Sequence, residues 1–328
     1  MAKTAADASL EYEAGQTPTA MSALTDSGDH KKFTSAASLF SGVAGFTPII
    51  RPNGVITGGA VTPGVSTTND KVDVAALTVY LAGVKTTVAA ALDQTITRGA
   101  TTNICIINSI TISSAGAVAV IAGTATTAFS ETRGADGGPP FIPVGSVEIA
   151  QVRLSSITAA AITAEQIYAV PGTHLERYDY PLFEEDYATG TVSFNTALPL
   201  SHTGGVPKKV YASYSAPVFA FISNSSNFVA PENAFSSTSK QVYGGTVGST
   251  SKSLAAGGFD AILKNGVSDA VLGLAGKNLW FRFYPDKYQA DYILCQGTLG
   301  VKRDFPADGN INAKCTISPL QAAVNVIA

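Results

Sequence analysis

The side chains that could do chemistry in this chain are few and widely spaced. His30, His174 and His202 are the histidines, and none has a partner at metal-ligand spacing. His174 reads as a surface or boundary residue. Glu184-Glu185-Asp186 would offer oxygen ligands to a hard cation such as Ca²⁺ or Mg²⁺. Consecutive residues point in different directions, however, and the EF-hand spacing is absent, so a solvated acidic loop is the expectation. The glycine-rich pieces 134–138 and 244–248 lack the Lys-Ser/Thr and helix start of a phosphate-binding loop and read as turns. Arg133-Gly134-Ala135-Asp136 is not an integrin-type tripeptide. Cys105, Cys295 and Cys315 are an odd number at wide spacing with no CxxC, which points to buried free thiols in strands. Cys295 and Cys315 fall on neighbouring predicted strands and could approach one another.

Trp280, Phe281, Phe283, Tyr284 and Tyr288 would suit base stacking if a basic groove lay beside them. None does, so these aromatics are assigned to a β core or an interface. A nucleophile with a base, a carboxylate pair, a metal cluster or a phosphate cradle is what an active site needs. No such set emerges, and the expectation is a chain with no catalytic residue, no metal and no cofactor.

The elements that carry these residues are strands. Residues 278–320 read as three antiparallel strands. Leu279, Phe281 and Phe283 alternate with Trp280, Arg282 and Tyr284. Pro285-Asp286-Lys287 supplies turn chemistry. On the return strand Ile293, Cys295, Leu299 and Val301 share a face. After a second turn at 305–310, Ile311, Ala313, Cys315 and Ile317 alternate strictly with Asn312, Lys314, Thr316 and Ser318. Val267, Ala270, Val271 and Leu274 follow i, i+3, i+4, i+7, which predicts one short amphipathic α-helix stopped by Gly276.

Among 328 residues, 45% are hydrophobic and 14% charged, below the roughly 25% charged share of ordinary soluble domains. Such a surface is built from small polar residues or is covered by other chains. No apolar run of 18 residues predicts a membrane-spanning helix. The net charge of −3 argues against wrapping nucleic acid by charge neutralisation. The first residues lack the apolar stretch of a signal peptide, so a cytoplasmic protein that later assembles is expected.

The expected organisation is a polar arm at 1–32, and at 33–70 the first part of a main domain. An inserted all-β domain follows at 71–170, the main domain resumes at 171–318, and an apolar tail ends the chain at 319–328. Strands are expected at 191–195 and 209–214, limited by Pro207 and Pro217, and at 240–248 and 258–263.

Extended stretches of the chain resemble the major tail tube proteins of long-tailed, non-contractile bacteriophages. They are LFSGVAGFTPIIRPNGVITGG (39–59), DVAALTVYLAGV (73–84), INSITISSAGAVAVIAGT (107–124) and GGPPFIPVGSVEIAQVRLSSITA (137–159). PGTHLERYDYPLFEEDYATGTVSF (171–194) and LWFRFYPDKYQADYILCQGTLGVKRDFPADGNINAKCTIS (279–318) continue the likeness. It lies in extended similarity and order, with no catalytic signature. The resemblance implies a mainly β fold: a β-sandwich or half-barrel with one short flanking α-helix, and the inserted domain on the tube exterior. It implies hexameric rings stacked into a tube through which DNA passes without specific binding. Expected partners are other copies of the chain and the tail terminator, tape measure and distal tail proteins, with no membrane. The expected location is the virion tail, and the host cytoplasm before assembly. Lumen-wall strand candidates are Leu279, Phe281, Phe283, Ile293, Cys295, Leu299 and Val301. Subunit-contact candidates are Leu10, Tyr12, Leu320, Val324 and Ile327. A head–tail connector or decoration protein of the same virion is the alternative, and a secreted β-sandwich adhesin a third reading.

Overall fold

The structure is a computed structural model that describes residues 7–66, 68–170 and 183–327. Strands make up 53% of it and helix 3%, with no helix of seven or more residues, so the fold is mainly β. The sheets are antiparallel and multiple, and none closes into a barrel among the described residues. Among the described residues no helix is long and apolar enough to cross a membrane.

The chain divides into two compact units. One comprises Met1–Pro18, Leu39–Thr47 and Tyr214–Ala328, the other Thr19–Ser38 and Pro48–Ser213. The expected boundaries at 32/33 and 70/71 do not fall there. The strand Gly54–Gly58 pairs with Leu77–Leu81, and Val61–Pro63 pairs with Lys71–Val74, which ties residues 48–66 to the all-β stretch after 71. Thr191–Phe194 pairs with Lys32–Thr34, which brings the return segment into the same unit. The expected boundary at 170/171, His174 and most of the acidic stretch before Phe183 lie outside the described residues.

In the first unit one sheet runs in the order Ser225–Val229, Gly257–Ile262, Asn312–Pro319, Tyr292–Asp304, Asn278–Tyr284 and then residues 9–18. The strict alternation read at 311–318 is what this sheet needs. Ala313, Cys315 and Ile317 are buried while Asn312, Lys314, Thr316 and Ser318 face out. Leu279, Phe281, Cys295, Leu299, Phe259 and Val271 complete the same core.

The polar arm is overturned for residues 9–23, which form a 15-residue strand. Ser9 to Tyr12 pair with Tyr284 to Phe281, and Leu10 is 2% exposed. Leu10 therefore lies in the chain's own core and has no surface left for a neighbouring subunit. Leu-Glu-Tyr-Glu at 10–13 alternates as a strand should, but the small residues after it hide the pattern.

Glu13 is fully buried. Its Oε1 accepts hydrogen bonds from Ser41 Oγ at 2.5 Å and Gln16 Nε2 at 3.0 Å, and Oε2 accepts from the Trp280 backbone N–H at 3.2 Å. These bonds, with Trp280 Nε1 donating to the Phe40 carbonyl at 2.8 Å, hold residues 39–47 over the sheet. A carboxylate can be buried only when donors replace its water. Gly42 allows the close approach, since a Cβ there would come within 2.0 Å of Gln296 Nε2.

The expected α-helix is a five-residue 3₁₀ turn, Ala270–Leu274. Asp269, the residue before it, spends its carboxylate on the backbone N–H groups of Lys264, Asn265 and Gly266 and not on the first turn. Val267 stays 76% exposed, so the apolar stripe is too short to sustain an α-helix. Pro217 does not end its strand, which runs Val210–Phe221. Pairing with Ile49–Pro52 covers only residues 210–213, so the N–H that Pro217 lacks is not needed there.

In the second unit Ile106–Ile112 lies between Val118–Ala122 and Val147–Leu154, and Ile167–Ala169 adds a fourth strand. Ile107, Ile110, Ile112, Val152, Leu154, Val72, Val74 and Val79 are fully buried or nearly so. β-Branched residues of the stretch expected to be all-β at 71–170 supply most of this unit's core.

Candidate assembly interface

Between Val229 and Gly257 the chain leaves the first unit's sheet and makes a two-stranded ribbon, Asn233–Val242 paired with Gly245–Leu254 in unbroken register from Asn233↔Leu254 to Val242↔Gly245. Tyr243-Gly244 is the two-residue turn. Gly244 has φ of +90°, the left-handed region that glycine enters without steric cost. The segment expected to be one strand at 240–248 thus contains the reversal.

Every residue of both strands is exposed. In an antiparallel pair, directly opposed residues point to the same face. One face therefore carries Phe235 beside Leu254 near the base, and the other carries Val242 and Val247 near the tip. Phe235 is 74%, Val247 61% and Tyr243 fully exposed. The rest is Ser, Thr and Gly, with hydroxyl pairs Ser236–Ser251 at 2.6 Å and Thr238–Ser249 at 3.0 Å. Lys240 and Lys252 are its charges, with no Asp or Glu in 233–254.

A two-stranded ribbon that buries nothing is at best marginally stable in water. Its outer backbone edges and its apolar side chains both favour association. The sequence carried one signal for it, the clean Val-Tyr-Gly-Gly-Thr-Val reversal at 242–247, obscured because Ser and Thr dominate both flanks.

The predicted lumen-wall side chains lie elsewhere. Leu279, Phe281, Cys295 and Leu299 are at most 1% exposed and sit in the unit's own core; Phe283, Ile293 and Val301 are half-buried. Alternation turned them inward, so as side chains they contact the core and not a passage. On the opposite face Trp280, Leu294 and Gln296 are also buried, while side chains such as Tyr284, Thr298, Lys302 and Asp304 are partly or fully exposed. Arg282 lies 3.7 Å from the Phe219 ring centroid and 5.2 Å from that of Tyr292, and Phe228 stacks on Phe283 at 4.5 Å. Phe281, Phe283 and Tyr284 thus pack against other rings, whereas Tyr288 is 76% exposed. Cys315 opposes Val301 in the register, which places it six positions, roughly 20 Å, along the strand from Cys295. All three cysteines are free, and burial pushes both thiols up to about 12.

Of the subunit-contact candidates, Tyr12 packs partly against the core. The tail docks in part on its own sheet, because Val324–Val326 pairs with Tyr292 to Leu294. Leu320 at 70%, Val324 at 48% and Ile327 at 83% exposure remain available at the surface.

The second unit holds a cavity of about 480 Å³ beside Arg133, Glu148, Gln151, Arg153, Tyr168 and His202. Its charges are already paired. Arg133 Nη2 lies 2.5 Å from Glu148 Oε2, and Glu148 Oε1 accepts from Ser109 Oγ at 2.5 Å. Arg153 makes two bonds to Glu131, at 2.5 and 2.9 Å, which hold that carboxyl below its usual range, and lies over the Tyr168 ring. His202 is buried; Nε2 donates to the Ser146 carbonyl at 3.0 Å, and burial lowers its pKa. Ser201 Oγ is 3.4 Å from His202 Nδ1, too long to activate the hydroxyl. These side chains knit strands and loops together. No group of three or more His, Cys, Asp or Glu side chains among the described residues could hold a metal ion.

Comparison with protein-family models, with curated proteins and with solved structures returns no match for this chain.

Proposed function

We propose that the chain is a structural virion protein that assembles with copies of itself into stacked rings, forming the tube of a phage tail through which DNA is ejected. The observation that carries the self-assembly part is the ribbon 233–254, 20 residues of paired strand exposed on both faces beside an otherwise well-buried sheet. Such an element gains stability only when another surface covers it.

Further support comes from the resemblance of the extended stretches and from the poverty in charge. A conduit for DNA must not hold its cargo, so a wall without a dense basic lining suits passage. From the hairpin 278–304, Tyr284, Thr298, Lys302 and Asp304 are among the side chains free to face a lumen in this reading. Head-to-tail contacts between unlike surfaces close into rings where the rotation closes and extend as a stack where it does not, and ring closure removes sheet edges.

The test is electron microscopy of the purified full chain after concentration. Tubes or stacked rings are expected. Single rings that never stack would instead fit a connector, and isolated monomers at every concentration would overturn the proposal.

A further inference from the structure

Resting on that self-assembly reading, we infer that the ribbon 233–254 of one copy docks edge to edge on the strand Phe183–Asp186 of a second copy, with a lysine of the ribbon's docking edge meeting a carboxylate of that strand. The ribbon brings two outer backbone edges, no buried residue, and a charge of +2 from Lys240 and Lys252 without any acid.

Its counterpart must offer an open edge and the opposite charge. Among the described residues Phe183–Asp186 pairs on one side only, with Thr191–Phe194, and ends its sheet. Among the described strands that end a sheet, it is the one with more than one carboxylate; Thr25–Asp26 and Ala91–Thr95 carry one each. Glu184, Glu185 and Asp186 are all exposed. Asp186 already accepts from Ala188 N at 2.9 Å and Thr189 Oγ1 at 2.7 Å, which leaves Glu184 and Glu185 as the carboxylates to be met.

Side chains alternate along a strand, so Glu184 and Asp186 project from one face and Glu185 from the other. On the ribbon Lys240 and Lys252 lie on different strands and opposite faces, five positions apart in the register, so each outer edge carries one lysine and docking through one edge brings one lysine beside Glu184 or Glu185. Edge pairing supplies main-chain hydrogen bonds for affinity, and the charges select the partner edge. Of the other open edges, Val84–Val88 carries Lys85, which repels the ribbon, Ser225–Val229 is broken by a register shift with Asn227 at φ +54°, and Thr25–Asp26 and Ala91–Thr95 offer a single carboxylate each. The contact joins unlike surfaces, so it leaves each copy with a further ribbon and a further acidic edge for the next copy.

A charge swap on the full chain tests this. Lys240→Glu with Lys252→Glu, at exposed positions, should raise the concentration needed for sedimentable assembly by about tenfold or more, with an unchanged thermal midpoint. Glu184→Lys with Glu185→Lys should do the same. Mixing the two variants should restore assembly to within about threefold of wild type, since each then offers the other a complementary pair. Loss of assembly in both variants without rescue on mixing would overturn this partner assignment and leave self-assembly standing. Wild-type assembly that neither reversal alters would do the same. A wild-type chain that never sediments as an assembly would overturn both.

Discussion

The hairpins 278–304 and 233–254 belong to the same unit, share one backbone geometry and are oppositely employed. In the first, both faces are covered near its centre. Leu279 and Phe281 enter the core, while Trp280 and Gln296 lie under residues 39–47. In the second, neither face is covered anywhere. Composition accounts for the difference. Aromatic and branched side chains repeat at period two in the first, and Ser, Thr and Gly fill the second. A strand pairs its backbone in either case, but only the first has side chains whose burial outweighs the entropy of ordering them. The first is therefore a stability element, and the second is a surface awaiting a partner.

The largest expected effect that would break this contrast lies in the buried hairpin. Phe281→Ala should cost about 3–5 kcal/mol in chemical denaturation; a loss below about 1 kcal/mol would mean the core is not built around it. Next comes Glu13→Ala, which leaves Ser41 Oγ and the Trp280 N–H without an acceptor and should cost about 1–3 kcal/mol.

Alkaline pH sharpens the comparison further. The folded thiols of Cys295 and Cys315 titrate near 12, above the ordinary value of 9.0, so the folded chain holds these protons more tightly than the unfolded one. Their contribution is complete below pH 9 and is lost as pH rises towards 12. Melting profiles should show a steeper alkaline loss in wild type than in Cys295→Ala/Cys315→Ala, and a maleimide should label neither thiol at pH 8 until the chain unfolds. The smallest effect on stability belongs to the exposed ribbon, where Tyr243→Ser should shift the melting free energy by no more than about 0.5 kcal/mol. A larger loss would show that the ribbon is part of the folding core.

Where side chains are large and alternate, as at 311–318 and 279–283, the strand, its inward face and its turns were legible in the sequence. The all-β character of 71–170 was legible on a different ground, the density of β-branched residues, since strands such as Ile106–Ile112 are buried on both faces and show no alternation. Residues 9–23 were not, because Leu10 and Tyr12 are followed by Ala, Gly, Thr and Ser, and sheet membership there is imposed by pairing with 281–284. The ribbon escaped notice on similar grounds, since a strand with two solvated faces has no hydrophobic period to display. The helix at 267–274 had the right spacing but only five residues of turn, with Asp269 diverted to the preceding loop. The division into units could not be read locally, because Gly54–Gly58 and Thr191–Phe194 find their partners across long stretches of chain.

The central claim is that the ribbon 233–254 is bare in the single chain and covered in the assembly. Hydrogen exchange of its backbone amides, followed in dilute monomer and in sedimented assembly of the full chain, tests this most directly. Rapid exchange in the monomer with strong protection in the assembly is the predicted result. Equal exchange in the two states, with protection changing elsewhere or nowhere, would contradict it.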